Sequence, residues 1–229
     1  MHALDNVIWQ ALTTRQTEFA EIVGRARRFV PEVTSLTAFA EPNEEGYASL
    51  GGLVGAGGKA AVFLDDPYRE RAGWSVVGGA PLLEMVCDNG TPAPANPERS
   101  LPQITELGLQ DSPEMVKLAA LTKPGPFGSR THELGTYLGI RSEGALVAMA
   151  GERLKVPGYT EISAVCTHPE HTGKGYAQVL MKELMRRIRS RGETPFLHVR
   201  EDNVRAVQIY ERLGFQVRVL LHYVLLRRD

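Results

Sequence analysis

One segment of the sequence joins a strand to an amphipathic helix through a turn that contains glycine. It reads Val165-Cys166-Thr167-His168-Pro169-Glu170-His171-Thr172-Gly173-Lys174-Gly175-Tyr176-Ala177. The first amide N–H groups of a helix have no partner within it, and the helix dipole adds partial positive charge there. Glycines let the chain turn sharply and let a ligand approach the backbone. The segment therefore predicts a main-chain site for an anion such as a phosphate or a diphosphate.

Two common phosphate-binding patterns do not fit this turn. A P-loop requires Gly-x-x-x-x-Gly-Lys-Ser/Thr, which Gly173-Lys174-Gly175 does not match. A dinucleotide-binding fingerprint requires a third glycine and an acidic residue about 20 positions later, so a dinucleotide-dependent oxidoreductase is disfavoured. Taken alone, the turn is also compatible with a tight connection from a strand to a helix that binds nothing.

A second pattern follows one predicted strand later, and it reads Asn203-x-x-Ala206-x-x-x-Tyr210-x-x-x-Gly214-Phe215. Together the two patterns resemble the GNAT superfamily of acetyl-CoA-dependent N-acetyltransferases. The pyrophosphate signature of that superfamily is Gln/Arg-x-x-Gly-x-Gly/Ala. Gly175 and Ala177 match it, whereas Thr172 stands where Gln or Arg is usual. The resemblance covers about residues 101–229, and this half also resembles the subgroup that contains the glycine N-acyltransferases.

The resemblance implies which residues bind acetyl-CoA, the expected co-substrate. The strand before the turn is expected to splay from its neighbour, so that the main chain of Val165 and Thr167 contacts the pantetheine arm. Asn203 is expected to bond the pantetheine side, with Ala206 leaving room beside it, or to serve simply as a helix N-cap. The expected pyrophosphate ligands are the amides of Thr172, Gly173, Lys174, Gly175, Tyr176 and Ala177. The Lys174 side chain either adds charge near a phosphate or is only solvated.

The resemblance also implies two catalytic side chains. Tyr210 is expected to protonate the departing CoA thiolate, although a half-buried core tyrosine would show the same pattern. Glu161 is the candidate base that deprotonates the amine, with a salt-bridged strand glutamate and a route through water as the alternatives. Direct attack in a ternary complex needs no covalent enzyme intermediate, so Cys166 is expected to be an ordinary buried thiol.

The predicted elements describe an α/β protein. Strands are predicted over 103–109, 136–141, 145–154, 159–167, 196–199 and 215–226, with helices over 111–121, 175–191 and 203–213. Strands joined first by hairpins and then by helices predict a mixed sheet. The resemblance implies a mostly antiparallel central sheet flanked by helices, with an N-terminal α/β extension.

The chain is predicted to divide near residue 100, because residues 88–102 are rich in proline and turn formers. Residues 101–229 are predicted to be the GNAT-like domain that the resemblance implies. Residues 1–100 are expected to be a substrate-side extension or a degenerate second copy of the same fold. A helix is predicted over 12–29, and strands are predicted over 60–64 and 81–87.

Composition limits the classes of partner. Lys and Arg total 26 against 27 Asp and Glu, a net charge of -1, which gives no general attraction to nucleic acid or membranes. Two cysteines and six scattered histidines predict no metal site. The sequence has no apparent signal peptide, so the cytoplasm is the expected compartment. The expected partner is a small-molecule or peptide amine. A catalytically silent CoA-binding module is the alternative, and the oligomeric state is open.

Overall fold

A computed structural model describes residues 2–88 and 102–229, so the predicted loop at 88–102 lies almost wholly outside the described residues. Within them, five α-helices are formed: α1 Val7–Thr13, α2 Glu44–Val54, α3 Ser112–Thr122, α4 Tyr176–Ser190 and α5 Val204–Arg212. The first five strands are β1 Ala20–Val23, β2 Ala26–Phe29, β3 Thr37–Phe39, β4 Lys59–Leu64 and β5 Trp74–Val86. The others are β6 Ile104–Leu107, β7 Tyr137–Ser142, β8 Ala145–Val156, β9 Tyr159–Thr167, β10 Thr194–Arg200 and β11 Gln216–Arg228.

Among the described residues, the main sheet has eight strands in the order β4-β11-β5-β10-β9-β8-β7-β6. Its neighbouring strands are antiparallel, except that β9 and β10 run parallel. A parallel pair needs a crossover connection, and α4 supplies it between β9 and β10. The predicted mixed and mostly antiparallel sheet flanked by helices is confirmed.

Helix α4 anchors the second half of the chain to this sheet. Its apolar stripe recurs every three or four residues and is buried against β8, β9 and β10. The stripe consists of Leu180, Met181, Leu184, Met185 and Ile188. Burial of this stripe fixes the direction of the helix axis and therefore the position of its N-terminus beside the end of β9.

The helix predicted over 12–29 is wrong. Helix α1 ends at Thr13, and the rest forms a short 3-10 turn and the hairpin of β1 and β2. Gly24 makes the hairpin turn with a φ of 50°, which breaks any helix there. Ile22 is 57% exposed and Val23 is 39% exposed, whereas Ala26 is fully buried. The helical spacing arose from two short strands that lie side by side.

The predicted boundary near residue 100 does not separate two sheets. Strands β4 and β5 come from the first half, and β5 lies between β10 and β11 of the second half. The β5–β11 pairing extends from Gln216 opposite Val86 to Arg228 opposite Trp74. The first half also forms a small sheet of β1, β2 and β3. It therefore completes the main sheet as well as extending it.

Candidate active site

A cleft opens where the parallel strands β9 and β10 separate. The two strands pair only from Thr194 opposite Tyr159 to Phe196 opposite Glu161. Beyond that point β10 continues to Arg200 in partnership with β5, while β9 continues to Thr167 beside β8. The splay that the resemblance implied is therefore present, and it exposes the facing edge of β9.

A bulge on β9 lies beside this opening. Ser163 is opposite Gly151 and Cys166 is opposite Met149, so two residues of β9 face one residue of β8. Ala164 adopts a φ of 54°, which is unusual for a residue other than glycine. A bulge removes backbone groups from the strand ladder. Val165, which lies in it, lines the cleft together with Thr167.

The N-terminus of α4 presents unpaired amides at one end of the cleft. The first hydrogen bond from the helix to the preceding turn runs from the Val179 amide to the Gly175 carbonyl. Within the described part of the chain, no acceptor is bonded to the six amides of residues 173–178. Thr172 differs, because its amide and its hydroxyl both donate to the Pro169 carbonyl. This helix end is therefore a free site for an anion.

The glycines of this turn are needed for their backbone angles. Gly173 has a φ of 79° and Gly175 has a φ of 82°, in the left-handed region that favours glycine. A Cβ atom at either position would meet no atom within 4 Å, so the space in front of the helix is open. The nearby Lys174 ammonium lies 3.3 Å from the Nδ1 atom of His171.

Helix α5 and its N-cap bring Asn203 and Tyr210 to the same cleft. The Asn203 side chain caps the helix by accepting a hydrogen bond from the Ala206 amide at 3.2 Å. Its amide nitrogen remains available, and Asn203 also lines the cleft. Ala206 packs on the core behind it. Asn203 is thus an N-cap that can contact a ligand as well.

Tyr210 and Cys166 meet on the cleft wall. Burial, with a smaller contribution from neighbouring Cys166, raises the pKa of the Tyr210 hydroxyl to about 12. No described residue hydrogen-bonds that hydroxyl, and Tyr210 is among the residues that line the cleft. Burial likewise raises the pKa of the Cys166 thiol to about 11. At neutral pH the phenol keeps its proton for donation, and the thiol is no nucleophile.

Glu161 lies behind the cleft wall and its carboxylate is fully occupied. Its two oxygens accept bonds from the Arg153 guanidinium at 2.6 and 2.8 Å, from the Leu154 amide and from His198 at 2.8 Å. Burial alone would raise the pKa of this carboxyl, but Arg153 and His198 together lower it to about 2. A carboxylate so placed is a poor proton acceptor. The geometry therefore disfavours the predicted base role and corresponds to the salt-bridged alternative.

Glu161 belongs to a chain of alternating charges that the sequence analysis missed. The chain runs through Arg153, Glu161, His198, Glu84, Arg218 and Asp5. Burial lowers the pKa of His198, but hydrogen bonds and charges from the two flanking glutamates outweigh burial and raise it. Arg153 and His198 line the cleft, whereas the far end at Asp5 reaches the surface.

One sequence signal could have located this chain. Arg153 stands in β8 among residues that are otherwise almost all buried, and His198 lies between the buried residues Leu197 and Val199 of β10. A charged side chain inside a central strand requires a buried partner, because an isolated buried charge is too costly. The partners could not be paired from one sequence, because the six residues of the chain lie on five different strands and in the turn before α1.

The cleft has a volume of about 920 Å³ and draws its lining from both halves of the chain. The first half contributes Ser35, Leu36, Phe63, Gly79, Ala80 and Leu82. The Phe63 ring lies 4.8 Å from the His198 ring and 6.2 Å from the Tyr223 ring. Five predicted residues line the cleft: Val165, Thr167, Thr172, Asn203 and Tyr210. The predicted residues Gly173, Lys174, Gly175, Tyr176 and Ala177 follow directly after Thr172 at the helix end.

Two features are absent from residues 2–88 and 102–229. No group of three or more His, Cys, Asp or Glu side chains is arranged to hold a metal ion. None of the helices there combines the length and the apolar character needed to cross a bilayer.

Comparisons with known proteins find acetyltransferases among the relatives of this chain. The family model described as FR47-like protein matches residues 137–224. The N-alpha-acetyltransferase RimI of Mycobacterium tuberculosis is 35% identical over 100 residues, 41% of this chain and 62% of the relative. The match therefore spans less than two thirds of that relative.

Solved structures extend the similarity to the whole chain. A structure assigned to the GNAT acetyltransferases, from Novosphingobium aromaticivorans, is 36% identical with a TM-score of 0.90, and all of both chains is covered. A GCN5-related N-acetyltransferase from Kribbella flavida shares the fold, with a TM-score of 0.65 at 16% identity over 98% of this chain and 96% of that one. The chain belongs to the GNAT family of acetyltransferases.

Proposed function

We propose that this protein transfers an acetyl group from acetyl-CoA to a primary amine by direct attack in a ternary complex. The observation that carries the proposal is the position of two features on one cleft. Unpaired amides stand at the α4 end, and a phenol with no bonding partner stands on the wall. An N-alpha-acetyltransferase among the relatives agrees with an amine acceptor.

The residues present fit acetyl-CoA. The free amides of residues 173–178 would hold the diphosphate, helped by the helix dipole. Val165, Thr167 and Asn203 would bond the pantetheine arm along β9. When bound, acetyl-CoA supplies the thioester whose carbonyl carbon accepts the amine. Thr172 contributes little charge to this site, because its hydroxyl already donates to Pro169.

Tyr210 is the proposed general acid. A hydroxyl that stays protonated can donate to the sulfur as negative charge develops on it. The neutral Cys166 thiol beside it supports direct transfer rather than acyl-enzyme formation. The amine would lose its proton to water, because the described residues that line the cleft include no aspartate or glutamate, and the histidine among them, His198, is held between Glu84 and Glu161.

We expect Gly175→Ala to weaken acetyl-CoA binding about tenfold. A left-handed φ is unfavourable for alanine, so the backbone of the turn would shift and the amide N–H groups would no longer point at the diphosphate. Gly192→Ala is the matched control. Gly192 has a φ of 74°, and a Cβ there also meets open space, but it lies beyond the C-terminal end of α4. Calorimetry should show weaker binding in the first variant only. Equal binding by the two variants would contradict a role for the turn.

The route through water predicts a particular pH dependence. We expect kcat/KM to rise with pH until the acceptor amine itself is neutral, and the midpoint to follow the acceptor. An α-amino group of pKa about 8 and an alkylamine of pKa about 10 should therefore give midpoints about two pH units apart. Thiol release measured over pH 6–10 tests this. A shared midpoint for both acceptors would instead show an enzyme base.

One observation favours a second candidate, a silent CoA-binding module. The carboxylate expected as base, Glu161, is buried and paired, and the described cleft lining holds no carboxylate. Thiol release from acetyl-CoA against amino acids, polyamines, aminoglycosides and lysine peptides separates the candidates. Transfer to any amine supports the enzyme, whereas tight binding with no transfer to any of them supports the module.

A further inference from the structure

One buried cation of the cleft lining, Arg153, has no role in the proposed reaction. We propose that the acceptor amine also bears a carboxylate, and that Arg153 binds this carboxylate. The acceptor is then a free amino acid or a similar amino acid-like molecule. The inference rests on the proposed function and deepens it by naming the substrate class.

The geometry of Arg153 leaves one nitrogen free. The side chain is 7% exposed, and its Nε and Nη2 atoms donate to Glu161 at 2.8 and 2.6 Å. Its Nη1 atom takes no part in that pair, and a Cβ at Gly125 would lie 3.9 Å from it. Arg153 and Gly125 both line the cleft. The two N–H groups on Nη1 are therefore available to an acceptor oxygen beside the Gly125 loop.

The position of Arg153 favours the acceptor rather than the coenzyme. Its partner Glu161 stands four residues before Val165 on β9, which is about 13 Å along an extended strand. The diphosphate site lies in the opposite direction, beyond Thr167. The neighbours of Arg153 in the cleft include Tyr223 of β11, and Phe63 of β4 packs on that ring. These strands form the wall that the coenzyme arm does not follow.

The charges around Arg153 select an anion. Along the buried chain cations and anions alternate, and the end that faces the cleft is the guanidinium. A carboxylate bound beside Arg153 would be attracted to the guanidinium. A second ammonium on the acceptor would instead be repelled by Arg153 and His198, because water screens charge poorly at buried sites. Polyamines, aminoglycosides and lysine peptides, which carry additional positive charge, are therefore poor acceptors.

The other cations of the cleft are less suited to this role. Arg200 is exposed and already pairs with Asp202 at 2.6 and 2.9 Å. Arg205 is exposed and lies in the first turn of α5, next to the pantetheine-side Asn203. Lys123 is exposed as well. Arg153 alone among these described arginines and lysines combines burial, a fixed orientation and a free nitrogen.

The test compares each amino acid with its own amide, using wild-type protein and acetyl-CoA. Glycine, alanine, β-alanine and 4-aminobutyrate, their amides, and spermidine are assayed by thiol release, with rates corrected to equal concentrations of neutral amine. We expect at least one acid to exceed its amide about tenfold or more in kcat/KM. Amides or spermidine that equal the best acid would overturn the inference, as would the absence of transfer to every acid.

Variants then locate the preference. Arg153→Met should abolish the acid-over-amide ratio mainly by raising KM, while Arg153→Lys should retain part of it with less effect on folding. Arg191→Met is the matched control, because Arg191 also pairs with a buried glutamate, Glu152 at 2.8 Å, but does not line the cleft. Its acid-over-amide ratio should equal that of wild type. A preference that survives Arg153→Lys and Arg153→Met unchanged would overturn the assignment to this residue.

Calorimetry with acetyl-CoA separates failure of this inference from failure of the proposed function. Acetyl-CoA binding with transfer to amides or spermidine but not to acids contradicts only the acceptor class. Absence of both binding and transfer contradicts the proposed function as well.

Discussion

Tyr210→Phe is expected to lower kcat about 100-fold while leaving the dissociation constant of acetyl-CoA within about twofold of wild type. General acid catalysis contributes about 10²–10⁴-fold, and the substitution removes only the hydroxyl. The ring is retained, so its packing against Phe215, whose centroid is 6.2 Å away, is preserved. Steady-state kinetics with saturating acetyl-CoA and calorimetry on the same preparation measure both quantities.

Tyr159→Phe is the control for this substitution. Tyr159 lies at the start of β9, outside the cleft lining, and its hydroxyl lies 3.3 Å from Nε2 of His2. Its kcat should match wild type. Because the pKa of Tyr210 is raised to about 12, the wild-type kcat should also show no loss from this group up to pH 10. A Tyr210→Phe variant with wild-type kcat would remove the phenol from the mechanism.

Glu161→Ala is expected to lower the free energy of unfolding by about 3–5 kcal/mol at pH 7. The variant leaves the Arg153 guanidinium buried without its two-bond partner, and it leaves His198 with Glu84 alone. Unpaired buried charges account for most of such a cost. Urea unfolding of the wild type and of the variant, followed by circular dichroism, measures this loss in the free energy of unfolding.

Glu183→Ala is the informative comparison, because its carboxyl pKa is also lowered to about 2, chiefly by a hydrogen bond from Arg186. Glu183 is nevertheless 23% exposed and lies on the surface of α4. Ion pairs in such positions contribute only about 0.2–1 kcal/mol. We therefore expect a loss below about 1 kcal/mol. Similar losses in the two variants would contradict the view that burial sets the size of the effect.

Glu161→Ala should also change how the free energy of unfolding depends on pH. The folded-state pKa of Glu161 is about 2 against an ordinary value of 4.5, so its contribution is complete above about pH 4.5 and is lost as pH falls through about 2. His198 acts in the opposite sense. Its pKa is raised above 6.5, so its contribution is complete below 6.5 and is lost as pH rises through the folded value. Glu161→Ala should flatten the acid limb of the wild-type profile.

The sequence predicted the second half well because its local signals agree with its packing. The α4 stripe, the turn before it and the Asn203 cap all act within a few residues of one another. The strand predicted over 159–167 matches β9 at both ends. The first half was predicted poorly. The apolar residues of its short hairpin strands have the spacing expected of a helix. Strand β5 pairs with β10 and β11, which both lie more than 100 residues away in the sequence.

The candidate site divides in the same way. Main-chain binding positions follow from a local turn, so Val165, Thr167 and the α4 amides could be proposed from spacing together with the family resemblance. The protonation state of Glu161 depends instead on Arg153 and His198, which reach it from other strands. A residue's pKa is set by burial and by neighbours in space, and one sequence does not contain that information directly.

The affinities of the wild-type protein for two thioesters, acetyl-CoA and S-acetylpantetheine, test most directly whether the backbone amides at the start of α4 bind a diphosphate. S-acetylpantetheine keeps the acetyl group and the pantetheine arm of acetyl-CoA but lacks the diphosphate and the nucleoside. Calorimetry should give acetyl-CoA at least about 100-fold tighter binding, with the advantage reduced at least about fivefold in Gly175→Ala and unchanged in Gly192→Ala. Equal affinities for the two thioesters, or an advantage insensitive to Gly175→Ala, would contradict the account.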